Sequence, residues 1–386
     1  MADEYGGDAM TTSFDLPADE QMQLIPSDVV PYALPYLRDF LDVEPNGYVA
    51  ASTFSGGGGM CLGVKRAGFD VAYASEFVPS ARETYAANFG FEPDARDIRE
   101  VPGEAILERV YEKTGRTELD YLEGSPPCSS YSTAGKREKG WGEAKHYSDG
   151  IHQRTDDLFE QFVRLIDEVR PKVVSAENVP GLALGESRAV LDAILSDLRG
   201  LGYRAEFAVL EADAYGVATI RERLFIVAVR DDLGVAPRFP DPSRGRRPTI
   251  DDVLSVLPDG DPDVEAADIR RYAIGGEYVR LRPGESSERY FSLVRPRGDR
   301  PVPTITKTAG SVGAAGVCHP YEPRKFTPRE CAVLSSFPID YELVGTFEQR
   351  VERVGRAVPP LLAYAVASSV RDVLDAAANP PHGKED

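Results

Sequence analysis

The stretch "NGYVAASTFSGGGGMCLGVKRAGFDVAYASEFVPSARETYAANF" constrains the fold more than any other. Four consecutive glycines, Gly56 to Gly59, stand between a short apolar run around Val49 and a segment with Leu62, Val64 and Ala67 at helical spacing. The order reads strand, glycine turn, helix, strand, helix, with "YAS" ending the second strand at Glu76. Further strand candidates are "DYLEGS", "KVVSAENV", "RAEFAVLEA" and "RLFIVAVR", separated by helical stretches at 156–170 and 187–200. Strands alternating with helices predict an α/β domain, Rossmann-like, with a mostly parallel sheet covered on both faces.

The pattern changes after Arg230, where Pro, Gly and Arg become frequent and apolar runs short. Helical patterning returns at "TPRECAVLSSF" and after Pro359 and Pro360, which suit the first turn of a helix. Leu361, Leu362, Ala365, Val366 and Val370 follow at helical spacing. We therefore expect an acidic, flexible tail over 1–30, a larger α/β domain over 31–230, a small irregular domain over 231–325, and C-terminal helices over 326–386. A chain of 386 residues has room for this arrangement. No apolar run is long enough to span a membrane, and the acidic N-terminus lacks the apolar core of a signal peptide. Cys61, Cys128, Cys318 and Cys331 show no paired metal spacing, which fits free thiols in a reducing cytoplasm and no metal.

Several residues carry chemistry. Glycine turns after strands let backbone N–H groups approach a ligand, although such a turn can be purely structural. Glu76, at the end of the next strand, is placed to accept from ribose hydroxyls. Asp97, in "ARDIRE", follows a third candidate strand and could accept from an adenine amine. Cys128 follows two prolines that stiffen its loop, unlike a cysteine used as core filler. Glu177 and Asn178, in "SAENVPGL", stand at a strand end on the same sheet edge. A partly desolvated carboxyl there can hold a proton near neutral pH, and a thiol with an acid suggests covalent attack on an electron-poor ring. Arg221 and Arg223 are two apart, on one face if the strand begins there, and could hold phosphate oxygens.

Taken in order, these motifs resemble the cytosine-C5 DNA methyltransferase family over about residues 47–372. "FSGGGG" is similar to its cofactor loop, "PPCSSYS" to its catalytic loop and "ENV" to its acid motif. "RER", "RKFTPRECAVLSSFP" and "GRAVPPLLA" are similar to the later motifs. The resemblance implies that 31–230 is the catalytic and cofactor-binding part of an S-adenosylmethionine-dependent methyltransferase domain, that the helices of 326–386 return to it, and that 231–325 is a small target-recognition domain. It also implies a double-stranded DNA substrate and a monomer, prokaryotic or phage-encoded. It implies that Phe54, Gly56, Gly57, Gly58 and Gly59 contact S-adenosylmethionine, with Glu76 on its ribose and Asp97 and Ile98 at its adenine. Phe77, Pro127, Arg356 and Ala357 complete the cofactor set. Cys128 is then the nucleophile toward C6 of a flipped-out cytosine. Glu177 meets the N3 and N4 edge, and Arg221 and Arg223 lie by the flipped nucleotide.

Three positions depart from the family pattern: Ser129 and Thr219 each replace Gln, and Arg356 replaces Asn. Arg356 could pair with a local acid such as Glu352 or reach a DNA phosphate. It could instead grip the carboxylate of carboxy-S-adenosylmethionine, giving 5-carboxymethylcytosine. The net charge of −19 argues at first against a nucleic-acid partner. Yet residues 238–330 hold 16 Lys and Arg against 14 Asp and Glu, while the remainder holds 28 against 49. Recognition is therefore expected from residues 231–325, through Arg244, Arg246, Arg247, Arg280, Arg282, Arg295 and Arg297. Rival readings are an RNA cytosine methyltransferase, whose Cys-Phe-Thr signature is missing, and a silent DNA-binding regulator, which would not need Cys128 and Glu177. A Cys–His hydrolase would have to draw on His146, His152, His319 or His382.

Overall fold

Strands of four to nine residues form the sheet at the centre of the chain. A computed structural model describes residues 32–127, 157–242 and 246–379, together with the paired strands Lys145–His146 and His152–Gln153. The central sheet comprises β1 (Val49–Thr53), β2 (Asp70–Ser75), β3 (Tyr121–Gly124), β4 (Val173–Asn178), β5 (Tyr203–Glu211) and β6 (Glu222–Arg230). Their order across the sheet is β2-β1-β3-β4-β6-β5. β1 to β4 pair in parallel and β6 runs antiparallel to both its neighbours. The mostly parallel sheet expected from the sequence is thus present, with one reversed strand.

Burial on both faces follows from alternation along each strand. Ala51, Leu122, Val174, Leu224 and Ile226 face one apolar cluster. There they meet Ile106 and Val110 of α3 (Gly103–Thr114) and Phe162 and Leu165 of α4 (Leu158–Val169). Helix α5 (Arg188–Gly200) adds Leu191 and Ile194. Ala50, Tyr121, Val173, Phe225 and Val227 face the opposite cluster. That side is covered by α1 (Gly59–Arg66), α2 (Pro79–Phe89) and the last helix, α8 (Pro360–Ala378). The seam of α8 is centred on Leu362, Ala363, Val366 and Val370, while Leu361 and Ala365 are only half-buried.

Gly63 lets α8 pack against α1 with their backbones in contact. A Cβ there would lie 2.3 Å from the Tyr364 nitrogen and 2.5 Å from the Ala363 carbonyl carbon. Backbone atoms cannot swing aside as a side chain can. Gly63→Val should therefore cost about 3 kcal/mol through overpacking, read as a lower urea midpoint with an unchanged slope.

One expected strand is replaced by a turn. Before Asp97 the chain makes a single bridge, Asp94 to Ser75, and then enters a short 3₁₀ turn at Ile98–Glu100. Within 231–325, Ile269, Ile274, Tyr278, Leu281, Leu293 and Cys318 form a small cluster of their own. Ile250, Val253, Val302 and Ile305 instead join α6 (Pro328–Leu334) and α7 (Phe347–Arg356) in a shared core. Thr327 and Thr346 start these two helices with reciprocal capping boxes. Thr219 is buried and its hydroxyl donates to the Leu334 carbonyl at 2.8 Å, a structural use of that departure from the family pattern.

Candidate active site

The carboxyl ends of β1 to β4 open onto one cavity of about 450 Å³. The turn from β1 into α1 forms part of its wall. Phe54 turns the chain in the left-handed region at φ 55°, and Gly56 continues it at φ 55°. Such a backbone at Phe54 costs on the order of 1 kcal/mol and clusters at ligand sites. Phe54, Gly56, Gly57 and Gly59 line the cavity. Gly58 does not: at φ 85° it caps α1, and a Cβ there would meet the Phe89 ring and the Tyr341 hydroxyl. That hydroxyl donates to the Gly57 carbonyl.

Glu76 and Phe77 also line the wall. The Glu76 carboxylate accepts from Gly56 N–H at 2.7 Å and from Val78 N–H at 2.8 Å. Burial raises its proton affinity above the ordinary carboxylate range, while these two N–H groups and Arg353 and Arg82 oppose the rise. Ile98 lines the cavity but Asp97 does not. The Asp97 carboxylate accepts from Arg99 N–H and pairs with the Arg99 guanidinium at 2.9 Å, so the turn directs it away from the wall. Arg96 stands there instead.

Across the cavity lie Ser125, Pro126, Pro127, Glu177 and Asn178. Asn178 ties the loop to β4, donating from Nδ2 to the Pro126 carbonyl at 3.1 Å. Cys128 and Ser129, which follow Pro127, lie outside the described residues. Glu177 Oε1 is 2.6 Å from Arg223 Nε, and both side chains are nearly buried. Burial raises the Glu177 carboxyl above its ordinary range, against the pull of Arg223 and Arg221. Arg221 also lines the cavity, but in the gap between the short strand Thr219–Ile220 and β6. Its guanidinium donates to the carbonyls of Ile305 at 3.1 Å and Gly355 at 2.9 Å. Arg221 therefore fastens two distant segments while Arg223 holds the acid, and both line the cavity.

Those fastened segments complete the wall. Thr304, Thr306 and Lys307 come from one, and Arg353, Arg356, Ala357 and Val358 from the end of α7 and the turn beyond it. Arg356 Nε donates to Glu352 Oε1 at 2.7 Å, so it pairs locally and lines the cavity at once. Arg353 is a wall residue the sequence reading missed. Its spacing of three from Arg356 on a helix was the available signal.

The arrangement can hold an elongated ligand, with an acid and backbone donors at one end and a buried acid–arginine pair at the other. The family model for C-5 cytosine-specific DNA methylases matches residues 48–372. The chain belongs to that family.

Similarity to individual family members is spread along the chain. Type II methyltransferase M.FnuDI of Fusobacterium nucleatum is 30% identical over 352 residues, covering 84% of this chain and 94% of that protein. Type II methyltransferase M.PspPI of a Psychrobacter strain is 31% identical over 364 residues, covering 87% and 82%. An E. coli crystal structure, assigned as a prophage-encoded DNA modification methyltransferase, aligns with a TM-score of 0.68 at 24% identity, covering 85% of this chain and all of that one. The last match speaks for the fold. Among the described residues, no helix is long and apolar enough to cross a membrane.

The arginines expected to meet DNA divide into two groups. Arg295 is committed internally, donating to the Pro320 and Leu281 carbonyls at 2.9 Å and stacking over Tyr278. Arg246, Arg247, Arg280 and Arg297 are exposed and pair with acids, and Arg282 is exposed with its backbone N–H donating to Glu285 at 2.7 Å. Arg244 lies outside the described residues.

Proposed function

We propose that this protein transfers a methyl group to C5 of a cytosine flipped out of double-stranded DNA, through a covalent bond between Cys128 and C6. The Glu177–Arg223 pair carries the reading, because it lines the cavity beside the loop of Pro126 and Pro127, and the same cavity holds the glycine turn and Glu76. S-adenosylmethionine, when bound, supplies an electrophilic methyl carbon on a sulfonium. The site suits it: Gly56 has open space where a Cβ would stand, and the buried Glu76 carboxylate still has acceptor capacity for hydroxyls. The remaining chemistry is assigned to side chains. Thiolate addition at C6, with a proton from Glu177 at N3, turns C5 into an enamine carbon able to attack. A base then removes the C5 proton and the thiolate leaves. The target atom is inaccessible in a stacked duplex, which is why the base must leave the helix.

Residues 231–325 are assigned to target recognition on their arginine content and reduced acidity. The Type II names of the relatives support a place in restriction-modification. Digesting treated DNA to nucleosides and weighing the modified cytosine tests the reading. Modified cytosine in RNA alone, or in neither polymer, would overturn it.

A second reading rests on Arg356, which lines the cavity where the family pattern has Asn. There its guanidinium could bind the carboxylate of carboxy-S-adenosylmethionine, making 5-carboxymethylcytosine the product. Offering both cofactors together separates the two. If the second reading holds, wild type takes the carboxymethyl group and Arg356→Asn shifts toward methyl by about tenfold, the scale of one charged hydrogen bond. Methyl transfer alone from both proteins leaves Arg356 as the partner of Glu352.

A further inference from the structure

Phe291 is 94% exposed, more than any other large apolar side chain among the described residues. Its neighbours Tyr290 and Leu293 pack instead into the cluster around Ile274 and Tyr278. The short strands Glu285–Ser286 and Val294–Arg295 pair antiparallel and lead into and out of the loop that carries it. Ser287 N–H donates to the Leu293 carbonyl at 2.9 Å, and Leu293 N–H to the Tyr290 carbonyl at 3.0 Å. The second bond closes a four-residue turn with Phe291 and Ser292 at its centre. Ser292 has φ 70°, the left-handed backbone required at the third position of a type II turn, where glycine or asparagine is usual. Ser287 Oγ accepts from the N–H groups of Arg289 and Tyr290 and donates to Glu277 at 2.7 Å, which braces the approach to the turn. A phenyl ring is thus held in water on a pinned tip, without the burial that usually rewards it.

A single exposed apolar residue is ordinary on a protein surface. This one has cationic surroundings. Residues 280–300 hold six arginines and three acids, in a chain of net charge −19. Arg289, beside the tip, is exposed, lies over the Tyr290 ring at 5.2 Å and makes no ion pair among the described residues. A ring and an unpaired guanidinium side by side match the two parts of a nucleic acid, base faces and phosphate. The chain that leaves the turn runs on to Thr304, Thr306 and Lys307 in the cavity wall. We propose that the turn Tyr290–Leu293 is a DNA-contacting tip, in which Phe291 stacks on base faces while Arg289 pairs with a phosphate. Taking a base out of the duplex opens such faces, and apolar side chains inserted at an opened step hold it apart. Holding Phe291 rigidly in the free protein means that little freedom is lost when the ring is covered.

The inference rests on the proposed DNA substrate. Linear plasmid DNA, long enough to hold a short target by chance, is the probe, with S-adenosylhomocysteine present so that nothing turns over. Its Kd is measured by filter binding from about 50 to about 300 mM KCl, where phosphate contacts show as a salt slope. Phe291→Ala should weaken binding about tenfold, within the range of one base–aromatic stack, and leave the slope unchanged because a ring displaces no counterion. Arg289→Ala should lower the slope by about one, the signature of one lost phosphate contact. Phe291→Trp should restore affinity, and the emission it adds should be quenched by DNA. Thermal midpoints of all three variants should match wild type, since both side chains lie outside the core. Wild-type affinity in Phe291→Ala, or added emission in Phe291→Trp that DNA leaves unchanged, would overturn the stacking contact, and an unchanged slope in Arg289→Ala the phosphate contact. Failure of wild type to bind the duplex at any salt would overturn the DNA reading instead.

Discussion

Cys128→Ala will abolish transfer to cytosine, by about 10⁴-fold or more, the scale of losing an enzyme's nucleophile, while leaving S-adenosylhomocysteine binding within about twofold. The size of the effect follows from the substrate. C5 of cytosine belongs to an electron-poor aromatic ring and does not attack an alkyl carbon unaided. Adding a thiolate at C6 breaks the aromaticity and places the electron pair on C5, and none of the described residues lining the cavity is a cysteine. Cofactor affinity is spared because the glycine turn, Glu76 and Ile98 lie on other elements. Two measurements check this: radiolabel transfer to DNA by the variant, and adduct formation by wild type on DNA carrying 5-fluorocytosine. The fluorinated base has no C5 proton to surrender, so the covalent complex should persist through denaturation. A variant that still turns over, or a competent wild type that forms no adduct, would sink the Cys128 mechanism.

The sheet was legible because each strand is an apolar run short enough to cross a domain and is followed by a helix or a turn. "RLFIVAVR" became β6, with Leu224 and Ile226 on one face and Phe225 and Val227 on the other. That β6 runs antiparallel is not written in its residues, since a strand buried on both faces reads the same in either direction. Motifs at strand ends could be placed from sequence, and two of their acids, Glu76 and Glu177, line one cavity. Asp97 does not line the cavity, and its carboxylate pairs with Arg99, two residues on. Arg221 does line it, but it is held from a distance. Its partners are carbonyls 84 and 134 residues away, and a carbonyl leaves no mark on a sequence. Arg353 and Lys307 enter the wall through that same fastening. Asn178 shows the converse, a residue noted beside Glu177 whose use, holding Pro126, required the fold.

Glu177→Gln should lower the transfer rate about 10³-fold, within the range for loss of a positioned general acid, while leaving DNA and cofactor affinity nearly intact. The substitution keeps the shape of the side chain and removes only the proton it can give. In the wild type, two influences act on that proton. Burial favours the neutral acid, and Arg223 at 2.6 Å favours the carboxylate, with Arg221 adding to it. Burial prevails, so the carboxyl keeps its proton to a higher pH than an exposed glutamate would. The donor form is the one below that raised pKa, so the wild-type rate should fall as pH rises through it. Glutamine does not titrate, so the variant should lack that limb and keep only the one set by the thiol, whose rate rises with pH as thiolate forms. Arg223→Ala acts in the opposite direction. It removes the main group favouring ionisation, so the Glu177 limb should move to higher pH even as positioning of the base suffers. The measurement is single-turnover transfer against pH for wild type and both variants. Retention of the falling limb in Glu177→Gln would assign it to another acid, and no upward shift in Arg223→Ala would mean that the pair does not set the proton affinity of Glu177.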